Sequence, residues 1–115
     1  MGDFTDLGFL KTFTGGDAAK MKKYISMFTG SAPGILEKIN ADCGSGDWKA
    51  LKTSSHSLKT QLKYMGAEKA QSVAYEIEQL SDKGERTDDL PGLVKTLDEL
   101  TKGVMSELNQ ELEKL

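Results

Sequence analysis

Residues 47–66 read DWKALKTSSHSLKTQLKYMG, a stretch that predicts an amphipathic α-helix. Asp47 is a good N-cap, because its side chain can accept a hydrogen bond from a free backbone N–H of the first turn, and Gly66 ends the pattern. The inward positions recur every three or four residues: Trp48, Leu51, Ser55, Leu58, Leu62 and Met65. One helix cannot bury such a stripe alone, so the stretch requires neighbouring helices.

The segments on either side carry the same periodicity and are separated by glycine clusters. We predict a short helix over residues 6–13, a long one from the Asp17 N-cap to residues 44–46, one over residues 68–83, and a last one from residue 88 onward. Pro33 should kink the long second helix rather than break it, because the apolar stripe continues in phase beyond it. The last helix carries Pro91 in its first turn and has this expected inward stripe: Leu93, Leu97, Leu100, Val104, Leu108 and Leu112.

No segment alternates apolar and polar residues over a useful length, so strands are not expected. Long amphipathic helices joined by short loops predict an all-α fold, an antiparallel up-down four-helix bundle with a short extra N-terminal helix. The 115 residues, 37% of them hydrophobic, suffice for one core but not for two, so we expect a single domain over residues 1–115.

The composition excludes several classes of function. No stretch approaches the roughly 18 apolar residues that span a bilayer, so we expect no membrane partner. The net charge of −3 gives no support to nucleic-acid binding by the domain. A single cysteine, Cys43, rules out an internal disulfide and a cysteine-built metal site. Residues 1–6 lack the basic and apolar regions of a secretory signal, so we expect a cytoplasmic protein.

The chain's one histidine, His56, lies on the polar side of the central helix. At about 100° per residue it is roughly 130° from the centre of the apolar stripe. Four lysines fall within about 60° of it on the helical wheel: Lys49, Lys52, Lys59 and Lys63. Ammonium groups disfavour the imidazolium, keep a nucleophilic lone pair available, and attract a phosphoryl donor. Lysines on a polar face are nevertheless ordinary, so geometry alone leaves a plain surface histidine as the commoner alternative.

Two enzymatic roles for His56 fit poorly. One histidine and one cysteine cannot supply a standard zinc site. A serine hydrolase is not indicated either, because no Gly-x-Ser-x-Gly elbow is present and neighbouring residues of a helix do not face each other.

The segment from His56 to Ala67 resembles the signature of histidine-containing phosphotransfer (HPt) domains, which runs His-x-Leu-Lys-Gly, five variable positions, and Gly-Ala. The matching residues are His56, Leu58, Lys59, Gly66 and Ala67. Flanking patterns are also similar to the family: Phe28, Pro33 and Leu36 before the histidine, Gly46-Asp47-Trp48 in the turn, and Ile77-Glu78 through Gly84 after it. The resemblance covers about residues 20–84. Thr60 departs from it, because the family has glycine or another very small residue there.

The resemblance implies a histidine phosphocarrier of a multistep two-component phosphorelay, without a kinase or ATP site of its own. His56 would exchange a phosphoryl group with the aspartate of a response-regulator receiver domain, and Lys59 would stabilise phosphoryl charge. Glu78 would orient the imidazole through Nδ1, although a solvated helix residue is an equal alternative.

The remaining site residues have supporting roles. Lys63 would touch the partner, Lys52 and Gly66 would support the site, and Thr60 would restrict access to it. The resemblance further implies a monomer that binds receivers and a hybrid sensor histidine kinase, with Mg²⁺ on the receiver and no cofactor of its own. The alternative is a helical interaction module that no longer transfers phosphate. A purely structural role for the bundle would not explain why four lysines surround His56.

Overall fold

Helices account for most of residues 4–115, which are the residues that the computed structural model describes. They are α1 (Gly8–Phe13), α2 (Ala18–Ser45), α3 (Trp48–Tyr64), α4 (Glu68–Lys83) and α5 (Leu90–Lys114), with a 3₁₀ turn at Thr87–Asp89. Over this described range no strand occurs, and the predicted all-α bundle is confirmed. Residues 1–3, which belong to the stretch examined for a secretory signal, lie outside the described residues.

The predicted helix caps are confirmed by their hydrogen bonds. Asp17 accepts from the backbone N–H of Lys20 at 3.1 Å, and Asp47 accepts from that of Ala50 at 3.1 Å. Gly46 ends α2 in the left-handed conformation. The helix continues through Pro33, so the expectation that proline would not break it is confirmed.

Four helices form a closed ring in which each packs against two neighbours: α2 against α3 and α5, and α4 against α3 and α5. This is the arrangement of an antiparallel bundle with short loops. The largest side chains at its centre are fully buried: Leu10, Ile25, Ile39, Leu51, Leu58, Leu62, Ile77, Leu90, Leu97 and Leu108. None of the helices in the described range is both long and apolar enough to cross a membrane.

The inward stripe of α5 differs from the predicted one. Leu97, Val104 and Leu108 are buried as expected, but Leu93, Leu100 and Leu112 are only half-buried. The other buried positions are Leu90, Val94 and Thr101. The prediction was wrong in part because it chose leucines, whereas the centre of the interface also takes smaller β-branched side chains.

Residues 4–6 form a strap across one end of the bundle. The backbone N–H of Asp6 donates to the Met65 carbonyl at 3.3 Å, and Glu107 accepts from the Phe4 N–H and the Thr5 hydroxyl, each at 2.9 Å. The Phe4 ring lies so close to Gly103 that a Cβ there would be 2.7 Å from it. This strap leads directly into α1 and fixes that helix beside the end of α3.

Candidate functional site

His56 lies in the middle of α3 on its solvent side, as predicted, with 59% of its side chain exposed. Leu51, Ser55, Leu58 and Leu62 of the same helix are buried and fix its rotation within the bundle. The imidazole is therefore presented outward from a rigid element.

Glu78 of α4 contacts both predicted reactive residues of α3. Its Oε2 lies 2.7 Å from His56 Nδ1, and its Oε1 lies 2.6 Å from Lys59 Nζ. The Lys59 ammonium and the Glu78 carboxylate therefore form a close ion pair. Only 10% of the Glu78 side chain is exposed, which excludes the alternative of a solvated helix residue.

The protonation state of Glu78 determines which imidazole nitrogen is free. Burial raises the pKa of Glu78, but the contacts with Lys59 and His56 outweigh burial and hold that pKa below its ordinary value. Glu78 is therefore ionised at neutral pH and can only accept a hydrogen bond. His56 Nδ1 must donate to it, so in the neutral ring the lone pair lies on Nε2.

The lysines around His56 do not all act as free cations. Lys59 is paired with Glu78, and Lys52 Nζ lies 2.8 Å from Asp82 Oδ1 of α4. The hydrogen bond and charge of Asp82 raise the pKa of Lys52. The lysine-rich stripe is thus partly neutralised by carboxylates of the neighbouring helix, which the helical wheel of α3 alone could not reveal.

A cavity of about 760 Å³ opens beside His56 between α3, α4 and α1. Lys59, Thr60 and Lys63 line it from α3, and the Thr60 hydroxyl donates to the His56 carbonyl at 3.1 Å. Gly66 lies at the turn beneath the strap, with φ of +63°, and supports the site through the backbone rather than lining this cavity.

Sequence reasoning missed two walls of this cavity, Phe9 of α1 and Tyr75 of α4. Tyr75 lies three residues before Glu78 and so shares its helical face, which is a signal that the sequence does contain. The position of Phe9 depends on the strap and has no local signal.

Four aromatic side chains form a connected patch next to the cavity, which we call the aromatic surface: Phe9, Phe13, Tyr24 and Tyr64. Neighbouring ring centroids are 5.5–6.3 Å apart, and all four side chains are exposed. A second, mostly apolar groove of about 680 Å³ adjoins it and is lined by Phe13, Tyr24, Met27 and Tyr64 among others. Exposed apolar surface of this extent is typical of an interaction site.

No group of three or more His, Cys, Asp or Glu side chains within residues 4–115 is arranged to hold a metal ion. The site thus offers the exposed His56 imidazole, the buried Glu78 carboxylate, the ammonium groups of Lys59 and Lys63, and an aromatic rim.

Comparisons with known proteins identify the family and the fold. A family model of the Hpt domain matches residues 23–115. The fold is similar to the crystal structure of histidine-containing phosphotransfer protein B (HptB) from Pseudomonas aeruginosa PAO1, with a TM-score of 0.90 and 21% sequence identity over 100% of this chain and 99% of that one. A comparison with curated proteins gave no match. Since the family model covers most of the sequence, this chain belongs to the Hpt domain family.

Proposed function

We propose that the chain is a histidine phosphocarrier that exchanges a phosphoryl group between His56 and the aspartate of response-regulator receiver domains. Family membership supports a role in phosphotransfer. The observation that carries the proposal is an exposed imidazole whose Nδ1 contacts the buried carboxylate of Glu78 at 2.7 Å. That contact leaves Nε2 as the nucleophilic nitrogen.

The transfer step follows from this arrangement. The Nε2 lone pair attacks the phosphorus of an aspartyl phosphate in line, the Nε2–P bond forms, and the P–O bond to the aspartate breaks so that a carboxylate leaves. The ring keeps its Nδ1 proton and becomes positively charged, and the Glu78 carboxylate stabilises that charge. Lys59 supplies positive charge near the transferring oxygens. Transfer to a second receiver reverses these bond changes.

The partner supplies the rest of the chemistry. The receiver provides the aspartate and binds Mg²⁺, and a hybrid sensor histidine kinase feeds phosphate into the relay. The chain itself contributes the nucleophile and a docking face, and acts as a monomer.

The docking face that we propose consists of the surface around His56 together with the aromatic surface. Phe9 and Tyr64 belong to both, since they line the His56 cavity and contact each other and the Phe13 ring. A receiver that brings its aspartate to His56 must cover the surrounding residues, and an exposed aromatic patch offers the apolar contact area of an interface core. The face therefore spans α3, α1 and the first turns of α2.

A helical interaction module without phosphotransfer is the second candidate, and Thr60 is the observation that favours it. Its branched side chain lines the cavity beside His56, where the HPt signature has a very small residue. Such a module would bind receivers through the same face but take up no phosphate.

Incubation with a phosphorylated receiver tests the proposal. The chain should acquire acid-labile, base-stable phosphate, and His56→Gln should acquire none while keeping its helical spectrum, because the side chain is exposed. Ser57→Ala, which removes the hydroxyl next to His56 in the sequence, is the matched control and should be labelled normally. Labelling of His56→Gln at the wild-type level would show that His56 is not the acceptor, and no labelling of the wild-type chain would favour the interaction module.

A further inference from the structure

The Lys59 ammonium contacts two side chains of α4. Glu78 Oε1 lies 2.6 Å from Nζ, and the Tyr75 ring centroid lies 5.1 Å from Nζ. That distance is within the range of a cation–π interaction. The Lys59 side chain is only 20% exposed, whereas Tyr75 is 51% exposed, so a mostly covered lysine contacts an exposed ring.

Glu78 is one of two contacts that restrict this lysine. A lysine side chain with four flexible carbons loses considerable rotamer entropy when it is confined, so a single ion pair leaves it room to move. A second contact restricts the remaining motion. Tyr75 supplies that contact from the same face of α4 as Glu78.

We propose that Tyr75 is a positioning residue for phosphoryl transfer, whose ring holds the Lys59 ammonium inside the His56 cavity. This inference rests on the proposed role of His56 as phosphoacceptor. A cation that is already in place when charge develops on the transferring oxygens requires no reorganisation during the reaction. Without the ring, the ammonium samples solvent and reaches the phosphoryl group less often.

Lys63 provides an internal control. It lines the same cavity as Lys59 and lies on the same helix. Among the described residues, however, the recorded cation–π contact of the Tyr75 ring is with Lys59. Removing the ring should therefore slow transfer only when Lys59 is present, whether or not Lys63 is present.

Labelling of the full chain by phosphoramidate measures the effect without a docking partner. In this reaction the Nε2–P bond forms while the P–N bond of the donor breaks and its protonated amine leaves as ammonia. Tyr75→Leu should slow labelling about two- to fivefold, the size of an exposed cation–π interaction, and Tyr75→Phe should restore the rate because it keeps the ring. Tyr75→Leu should have no further effect in a Lys59→Met chain and its full effect in a Lys63→Met chain.

Proton NMR measures directly whether the Lys59 side chain lies over the Tyr75 ring. The ring should shift the Lys59 Hε resonances upfield in the wild type and in Tyr75→Phe, and this shift should be lost in Tyr75→Leu. Equal effects of Tyr75→Leu in both lysine backgrounds, or a Tyr75→Phe chain as slow as Tyr75→Leu, would overturn the proposal. A wild-type chain that takes up no label would refute the phosphocarrier function instead. In that case the Hε shift alone would decide whether the Tyr75 ring positions the Lys59 ammonium.

Discussion

Glu78 links the stability of the fold to the charge state of the site. Its pKa lies below the ordinary value of 4.5, so its ionised form stabilises the folded state above that pH, and this contribution is lost as pH falls through the lower folded-state pKa. Lys59 and His56 face the carboxylate directly, and Lys52 acts on it at longer range. Protonation of Glu78 thus weakens its contacts with Lys59 and His56 at once.

Glu78→Gln should therefore make the free energy of unfolding less dependent on pH under acidic conditions. We expect the free energy of unfolding of the wild type to fall more steeply than that of the variant as the pH drops below 4.5. Urea titrations across this range measure the difference, and Glu76→Gln, an exposed neighbour on α4, is the control. Parallel curves for the wild type and Glu78→Gln would contradict the assigned coupling.

Thr60 should slow transfer without preventing it. Its hydroxyl already donates to the His56 carbonyl, which leaves the bulk of the side chain as its main effect on the cavity. A displacement of about 1 Å can cost roughly 10²-fold in rate. We therefore expect Thr60→Gly to speed single-turnover transfer from a phosphorylated receiver, with a stability loss of about 0.5 kcal/mol or somewhat less because glycine is a poorer helix former. An unchanged or lower rate would indicate that the hydroxyl contacts the phosphoryl group or the partner.

Among the connections between helices, the turn from α3 to α4 is the most constrained by its surroundings. Gly66 has φ of +63°, and a Cβ there would lie 1.9 Å from the Asp6 carbonyl oxygen of the strap. Gly84 after α4 has nearly the same φ of +64°, but no atom lies within 4 Å of its Cβ position. Both positions would therefore impose backbone strain on an alanine, but only an alanine at position 66 would also collide with the strap.

Gly84→Ala should cost only the strain of a left-handed alanine, about 1–2 kcal/mol, whereas Gly66→Ala should cost clearly more because the strap must move. Chemical denaturation of both variants measures the two losses. Near-ultraviolet circular dichroism should also change in Gly66→Ala, because α1 and its phenylalanines follow the strap. Equal losses of stability in the two variants would mean that displacing the strap costs no free energy, which would contradict this prediction.

At the level of helices, the sequence was informative wherever the determining interactions were local. The caps at Asp17 and Asp47 act within three residues, so they could be predicted. The strap could not, because Phe4 and Glu107 are 103 residues apart and no short pattern encodes their contact. The site divides in the same way: the outward position of His56 follows from one helix, whereas the burial of Glu78 and the place of Tyr75 depend on how α3 and α4 pack.

The whole molecule is electrically asymmetric. Residues 1–65 contain nine lysines and six carboxylates, whereas residues 66–115 contain six basic residues and twelve carboxylates. The half of the sequence that forms α1, α2 and α3 is therefore positive, and the half that forms α4 and α5 is negative. A negatively charged partner would be steered toward the half that carries His56.

Association with a receiver should accordingly weaken with salt. We expect the association rate to fall about tenfold between about 0.02 M and about 0.5 M salt, since screening shortens the range of the field. Stopped-flow binding measures it, with Lys23→Glu expected to slow association and Lys95→Glu on α5 as the control. NMR shift changes should map to α1–α3, and changes confined to α5 would exclude the proposed docking face.

The strap has a consequence for how the proposed site is divided along the sequence. The family model begins at residue 23, so the strap and α1 lie before the matched part of the chain, while His56, Lys59 and Glu78 lie within it. Phe9 and Phe13 thus lie outside the matched part of the chain, whereas Gly66, Gly103 and Glu107, which contact the strap, lie within it. We therefore expect that exchanging residues 4–13 as a unit would change the proposed docking face and leave His56, Lys59 and Glu78 in place.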